Sequence, residues 1–162
     1  MNVGIVPVGR IEADVLDSVC KAVGDIYEVC VSVERAHDIP EHSFNRRRNQ
    51  YVAYDFLKLA ESCSCDKNLA VTDADLYLPR LNFVFGQAKL NGRGGVVSLF
   101  RLNSSQRDIF ILRAMKESVH EMGHLLGLRH CSDPGCVMSF SPEIVGVDKK
   151  GVDLCRLCED RL

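Results

Sequence analysis

Residues 119–131 read "VHEMGHLLGLRHC", and three of the chain's five histidines fall within this stretch. His120 and His124 are four apart, so on a helix they project from one face about a turn from each other. Their imidazoles can converge on one ion, with Zn–N distances of about 2.0–2.1 Å. Glu121 stands roughly 100° further round the helix, wrong for a third ligand but within reach of a water on that ion. Gly127 can take a positive φ and turn the chain sharply, which would bring His130 back as the third ligand. Three neutral nitrogens leave the fourth position of a Zn2+ open, as catalytic sites do and structural sites do not. A lone histidine on an apolar helix face is usually a satisfied core or surface residue. At this chain's composition, chance gives the full set of spacings in roughly one chain of this length in fifty thousand. The stretch reads as a zinc site, with Glu121 taking the proton of a zinc-bound water and returning it to the leaving group.

The cysteines offer a second centre. Cys131-x4-Cys136 and Cys155-x2-Cys158 form two short knuckles, able to supply four thiolates tetrahedrally at about 2.3 Å from Zn2+. A closed site of that kind has no room for water and does no hydrolysis. It would staple the C-terminal tail to the segment carrying His130, because Cys131 is the next residue. Iron held by the same four thiolates is the alternative, and a redox Cys-x-x-Cys fits less well without a βα unit around it. Cys20 and Cys30 read as core residues, and Cys63 and Cys65 match no pair.

These residues need elements to hold them. "NVGIVPV" is a short apolar strand, and "EADVLDSVCKAVGDI" spaces Val15, Val19, Val23 and Ile26 as a helix does. "YEVCVSVE" alternates like a half-buried strand, "RAHDIPEHSFNRRR" is a polar loop, and "NQYVAYDFLKLAES" resumes the helical period. A strand is expected at "NLAVTDADLYL", then a hairpin of "LNFVFGQAKL" and "GVVSLFRLN" about "NGRGG". The longest helix is "SQRDIFILRAMKESVHEMGHLL", with Gly127 its natural stop. Beyond it lie Pro134, Pro142, three more glycines and half of all the cysteines. The expectation is an α/β fold, a twisted mixed sheet with long helices and a short irregular C-terminal subdomain. Residues 1–127 would form the first part and 128–162 the second.

The pattern His120-Glu121-x-x-His124-x-x-Gly127-x-x-His130 resembles the metzincin clan of zinc peptidases. With Cys131, Cys136, Met138 and Cys155-x-x-Cys158 following, it is similar to the archaemetzincins, small metzincins with a second, four-cysteine zinc site. The resemblance implies a metzincin-like zincin fold, with a cleft between an upper and a lower subdomain. It implies two Zn2+ per chain and a methionine turn at Met138 beneath the metal. It also implies that an extended substrate pairs antiparallel with the edge formed by "GVVSLFRL". Ser139, Phe140 and Ser141 become candidates for the wall of the primary specificity pocket. Some metzincins carry a tyrosine two residues after the methionine. Here that position is Phe140, so a hydroxyl's role does not transfer.

Composition sets the bounds. A chain of 162 residues is one domain by length and can bury a real core. A formal charge of −2 argues against a nucleic-acid or membrane-surface binder. No apolar run is long enough to span a bilayer, and the first residues read as a strand, not an export signal. The expected protein is a cytoplasmic, monomeric zinc metallopeptidase acting on peptides or proteins. The alternatives are a non-catalytic zinc protein that builds an interaction surface, and a hydrolase acting on another bond. "NRRR", with Arg46 to Arg48, reads as a solvated loop or helix start in preference to a contact for an acidic peptide terminus or a nucleic acid, and His37 and His42 read as surface residues.

Overall fold

Six of the seven residues of β1 (Asn2–Val8) are buried, which requires cover on both faces of the sheet. In the computed structural model, which describes residues 1–162, helices supply it. On one face Val3 and Ile5 meet Val15, Val19 and Val23 of α1 (Ala13–Tyr27) and Val119 and Met122 of α3 (Arg107–Leu125). On the other, Val6 and Val8 meet Ala53, Phe56 and Ala60 of α2 (Ala53–Glu61). Phe56 is fully buried, a contribution of about 1.5–3 kcal/mol.

The main sheet has the order β2-β1-β5-β8-β7, with β2 at Cys30–Val33, β5 at Lys67–Thr72, β7 at Gly86–Ala88 and β8 at Gly94–Ser98. Four strands are parallel, and β7 closes one edge antiparallel to β8. A small second sheet joins β3 (Phe44–Asn45), β4 (Gln50–Val52) and β6 (Leu76–Tyr77). After α3 come only α4 (Ile144–Lys149) and α5 (Arg156–Glu159). The mixed α/β fold is as expected. No helix is long and apolar enough to cross a membrane.

Several boundaries differ from the sequence reading. "NQYV" begins as β4, not as helix, because Tyr51 pairs with both Phe44 and Leu76. "NLAVTDADLYL" is two strands in two sheets. The break comes at Thr72, whose hydroxyl accepts the Ala74 amide and turns the chain. "GVVSLFRLN" stops at Ser98, where the hydroxyl donates to the Ala74 carbonyl and accepts the Phe100 amide, starting a short 3-10 turn. The strand around Cys30 lies at the outer edge and is largely exposed. Cys30 is therefore exposed, not a core residue, whereas Cys20 packs partly buried against the core.

Candidate active site

The histidine helix departs from an ordinary amphipathic pattern. Lys116, Glu117, Ser118, His120 and Glu121 are all buried along one stretch of α3, which costs several kcal/mol for each unpaired ion. Such burial needs partners or a function.

His120 donates from Nδ1 to the Val137 carbonyl at 2.8 Å, and His124 from Nδ1 to the Leu128 carbonyl at 2.7 Å. A carbonyl only accepts, so Nδ1 carries a proton in both rings, and in the neutral imidazole the Nε2 lone pair is then bare. Those nitrogens face each other at 3.1 Å. Two acceptors that close repel unless a cation lies between them. Tetrahedral ligands at zinc distances stand about 3.3 Å apart, so the pair fits that ion. Gly127, at φ 98°, ends the helix and lets the chain return His130, whose ring centroid is 5.3 Å from that of His120 and 4.9 Å from that of His124. One ligand atom from each of the three residues lies within 4.8 Å of the others. Phe140 flanks His130 at 5.0 Å between centroids. It supplies a packing face where some metzincins have a phenol. Burial holds all three imidazoles below the usual histidine range, with the Lys150 charge acting in the same direction. That favours the neutral imidazole, the form that binds metal.

Glu121 lies against the start of β7. A β-carbon on Gly86 would come within 2.6 Å of its Cγ and Oε1, so only glycine admits this carboxylate at the sheet edge. Its Oε2 is buried without a hydrogen-bond partner. Burial first, then the neighbouring Glu117 carboxylate, push its carboxyl well above the ordinary range, against the opposing pull of Lys150.

Cys131, Cys136, Cys155 and Cys158 form the second cluster, with all sulfurs within 4.8 Å of one another. Cys131 and Cys155 are 3.7 Å apart, and Cys136 and Cys158 3.8 Å. Ligands at about 2.3 Å in a tetrahedron are separated by about 3.8 Å. Backbone amides of Asp133 and Cys155 point at Cys131 and Cys136 sulfurs at 3.4 and 3.3 Å. All eight cysteines are free thiols. The two clusters are joined through the backbone, because Val137, which accepts the His120 proton, stands between Cys136 and Met138. Met138 is fully buried against Gly123 of α3.

A cleft of about 500 Å³ opens beside the histidines, walled by β7, the segment before it, and Phe140 to Glu143. Ser139, expected in this wall, is not part of it. The edge along the cleft is β7, which corrects the expectation for "GVVSLFRL": that strand lies inside the sheet, paired on both sides. Arg48 is not a solvated loop residue either. It stacks 4.2 Å over Tyr77 and donates to the Leu81 and Asn82 carbonyls, bracing the cleft's upper rim. Arg46 is exposed, as is His42, while His37 is half-buried and bridges to Val8. Sequence reasoning missed Gly86, Glu117 and Lys150. Lys150 is 2% exposed, with Nζ 2.8 Å from Glu117 Oε1. Glu117 had a signal, since it lies one helical turn before Glu121. Lys150 had none.

A tripod of neutral imidazoles opening onto an extended sheet edge is the arrangement of a metal-dependent peptidase. Comparison with known proteins narrows that class. The model of peptidase family M54 matches residues 8–162. The archaemetzincin of Natronomonas pharaonis is 40% identical over 172 residues, covering 100% of this chain and 99% of its own. The crystal structure of archaemetzincin from Archaeoglobus fulgidus, complexed with malonate, superposes with a TM-score of 0.92 at 35% identity, covering 100% of both chains. That from Methanopyrus kandleri gives 0.91 at 38% identity, covering 99% of this chain and 92% of its own. The chain belongs to peptidase family M54, the archaemetzincins, and is a zinc metallopeptidase.

Proposed function

We propose that His120, His124 and His130 hold the catalytic zinc, and that Cys131, Cys136, Cys155 and Cys158 hold a second, structural zinc. Glu121 is the general base and acid, acting on peptide or protein substrates. The observation that carries the reading is the 3.1 Å approach of two bare Nε2 atoms whose Nδ1 protons are committed to backbone carbonyls. Zinc bound there would acidify a water and polarise the scissile carbonyl. Glu121 Oε2, buried and unpartnered, takes the water's proton and passes it to the leaving amine. The substrate lies extended along the outer edge of β7, antiparallel to it, so that backbone pairing gives affinity with little sequence preference. Residues 1–127 supply the sheet edge and the helix, and 128–162 supply His130, Met138 as the methionine turn and the thiolates. The cleft lies where the two parts meet.

The test is elemental analysis of the loaded protein, expected to give two zinc ions per chain. His120→Ala should lose one of them and Cys158→Ser the other. One zinc in the wild type, or substantial iron, would overturn the two-site assignment.

A further inference from the structure

The cleft wall carries three carboxylates, Glu117, Glu121 and Glu143, and no lysine or arginine. Glu121 has its task. Glu117 is 4% exposed; its Oε1 is paired with Lys150 Nζ at 2.8 Å, and the carboxylate lines the cleft. Ser141 Oγ, in the same wall, is buried and unpartnered. A buried hydroxyl without a partner in a cleft wall needs an explanation, and a donor from a bound substrate is one.

Chain direction tells which part of a substrate meets them. β7 starts at Gly86, against Glu121, and beyond its end Asn91 donates to the His124 carbonyl at 3.0 Å. It therefore runs in the same sense as α3. A peptide antiparallel to β7 moves from the His124 end towards the Glu121 end and then passes Glu117, one turn nearer the start of α3. Ser141 lies on that side too. It packs against Gly146 of α4, and α4's Val147 carbonyl takes Lys116 Nζ at 3.0 Å. In that orientation the residue after the scissile bond would face Glu117 and Ser141, with the exposed Glu143 at the rim.

We infer that Glu117 is a specificity-determining residue, selecting lysine or arginine immediately after the cleaved bond. This rests on the peptidase geometry proposed above. A long basic side chain carries three to five donors, enough to meet Ser141 Oγ and the Glu117 carboxylate while its stem crosses the cleft. Lys150 does not fill this role, because it reaches Glu117 from behind and is not part of the wall. A carboxylate has about four acceptor positions, so one cation leaves room for another.

The test is cleavage of a peptide library, varied at the residue after the bond, by zinc-loaded wild type, Glu121→Ala and Glu117→Gln. Wild type should favour lysine and arginine over glutamate and aspartate. Glu117→Gln should lower that ratio about 10- to 100-fold, the range for one lost charge-assisted hydrogen bond. Because Glu117→Gln strands Lys150, the double variant Glu117→Gln/Lys150→Met is run beside it, and the same loss of ratio is expected. Wild type without a basic preference, or either variant with an unchanged ratio, would overturn the inference while the peptidase geometry stands. Glu121→Ala cleaving at the wild-type rate would overturn the geometry beneath it.

Discussion

Met138 packs its sulfur against Gly123, inside the helical turn that presents His120 and His124, leaving no space for a β-carbon on residue 123. Alanine there would gain about 1 kcal/mol of helix propensity. It would also force the thioether or the helix to move, at about 1–3 kcal/mol. Gly123→Ala should therefore be net destabilising and should weaken zinc at the histidines, since the displaced turn carries two of them. Met138→Leu, nearly isosteric, should cost less than about 1.5 kcal/mol, and Met138→Ala about 2–5 kcal/mol. Thermal melting with zinc analysis checks all three. A fully loaded Gly123→Ala with an unchanged melting temperature would show that the contact constrains nothing.

The thiolate cluster should act on the histidines at a distance. Cys136 precedes Val137, whose carbonyl orients His120 and whose amide donates to Asp153 at 2.9 Å. Cys158→Ser should release α5 and lower stability by more than about 2 kcal/mol, because metal binding and folding are coupled in such sites. It should also weaken zinc at the histidines about 10- to 100-fold, the usual cost of disturbing the group that orients a ligand. Competition with a graded chelator measures this. Unchanged affinity at the histidines would show that the two centres are independent.

The histidine and cysteine sets were legible because their spacing is local. Four residues along a helix, or two along a knuckle, fix relative positions before any tertiary structure is known. The alternating strands and helices were legible from period for the same reason. What was not legible depends on pairing between distant segments. Nothing in "GVVSLFRL" says that it is covered on both sides, and nothing in "FGQA" says that it is the edge. That follows only from the strand order β2-β1-β5-β8-β7. Lys150 lies 33 residues beyond Glu117 in the sequence, and α4 alone brings it back. Arg48 looked solvated because its partners are carbonyls of Leu81 and Asn82, which no side-chain pattern announces.

The upper rim of the cleft hangs on a buried carboxylate. Arg101 grips Asp75 with Nε at 2.7 Å and Nη2 at 2.8 Å, while Gln50 donates to the same group at 3.2 Å. The guanidinium also lies 4.4 Å over the ring of Phe83, in the rim. Arg101→Ala would leave Asp75 buried without its cation. A fully buried pair costs about 3–5 kcal/mol when broken; with Arg101 partly exposed, about 2–3 kcal/mol is expected. The rim should loosen, so KM should rise more than kcat falls. Arg101→Lys, which keeps the charge but not the fork, should recover part of the stability. An equal fall in kcat with KM unmoved would show that the rim does not touch substrate.

Glu121 gives the sharpest separation of chemistry from metal binding. Its carboxylate is no ligand in the proposed site, yet it lies buried against Gly86 with Oε2 unpartnered. Glu121→Gln keeps the shape and removes the ability to accept a proton, so fold and both metals should survive. Proton transfer by a positioned side chain contributes about 10²–10⁴-fold, and kcat should fall by that order. Substrate binding should change little, because the β7 edge is intact. Glu121→Ala should lose as much activity and gain stability, since it removes a buried carboxylate that has no partner in the protein. His120→Ala should instead lose one zinc together with the activity, leaving the thiolate zinc in place. Rates measured beside zinc content decide between these outcomes. A Glu121→Gln enzyme turning over at the wild-type rate with two zinc ions bound would remove Glu121 from the mechanism.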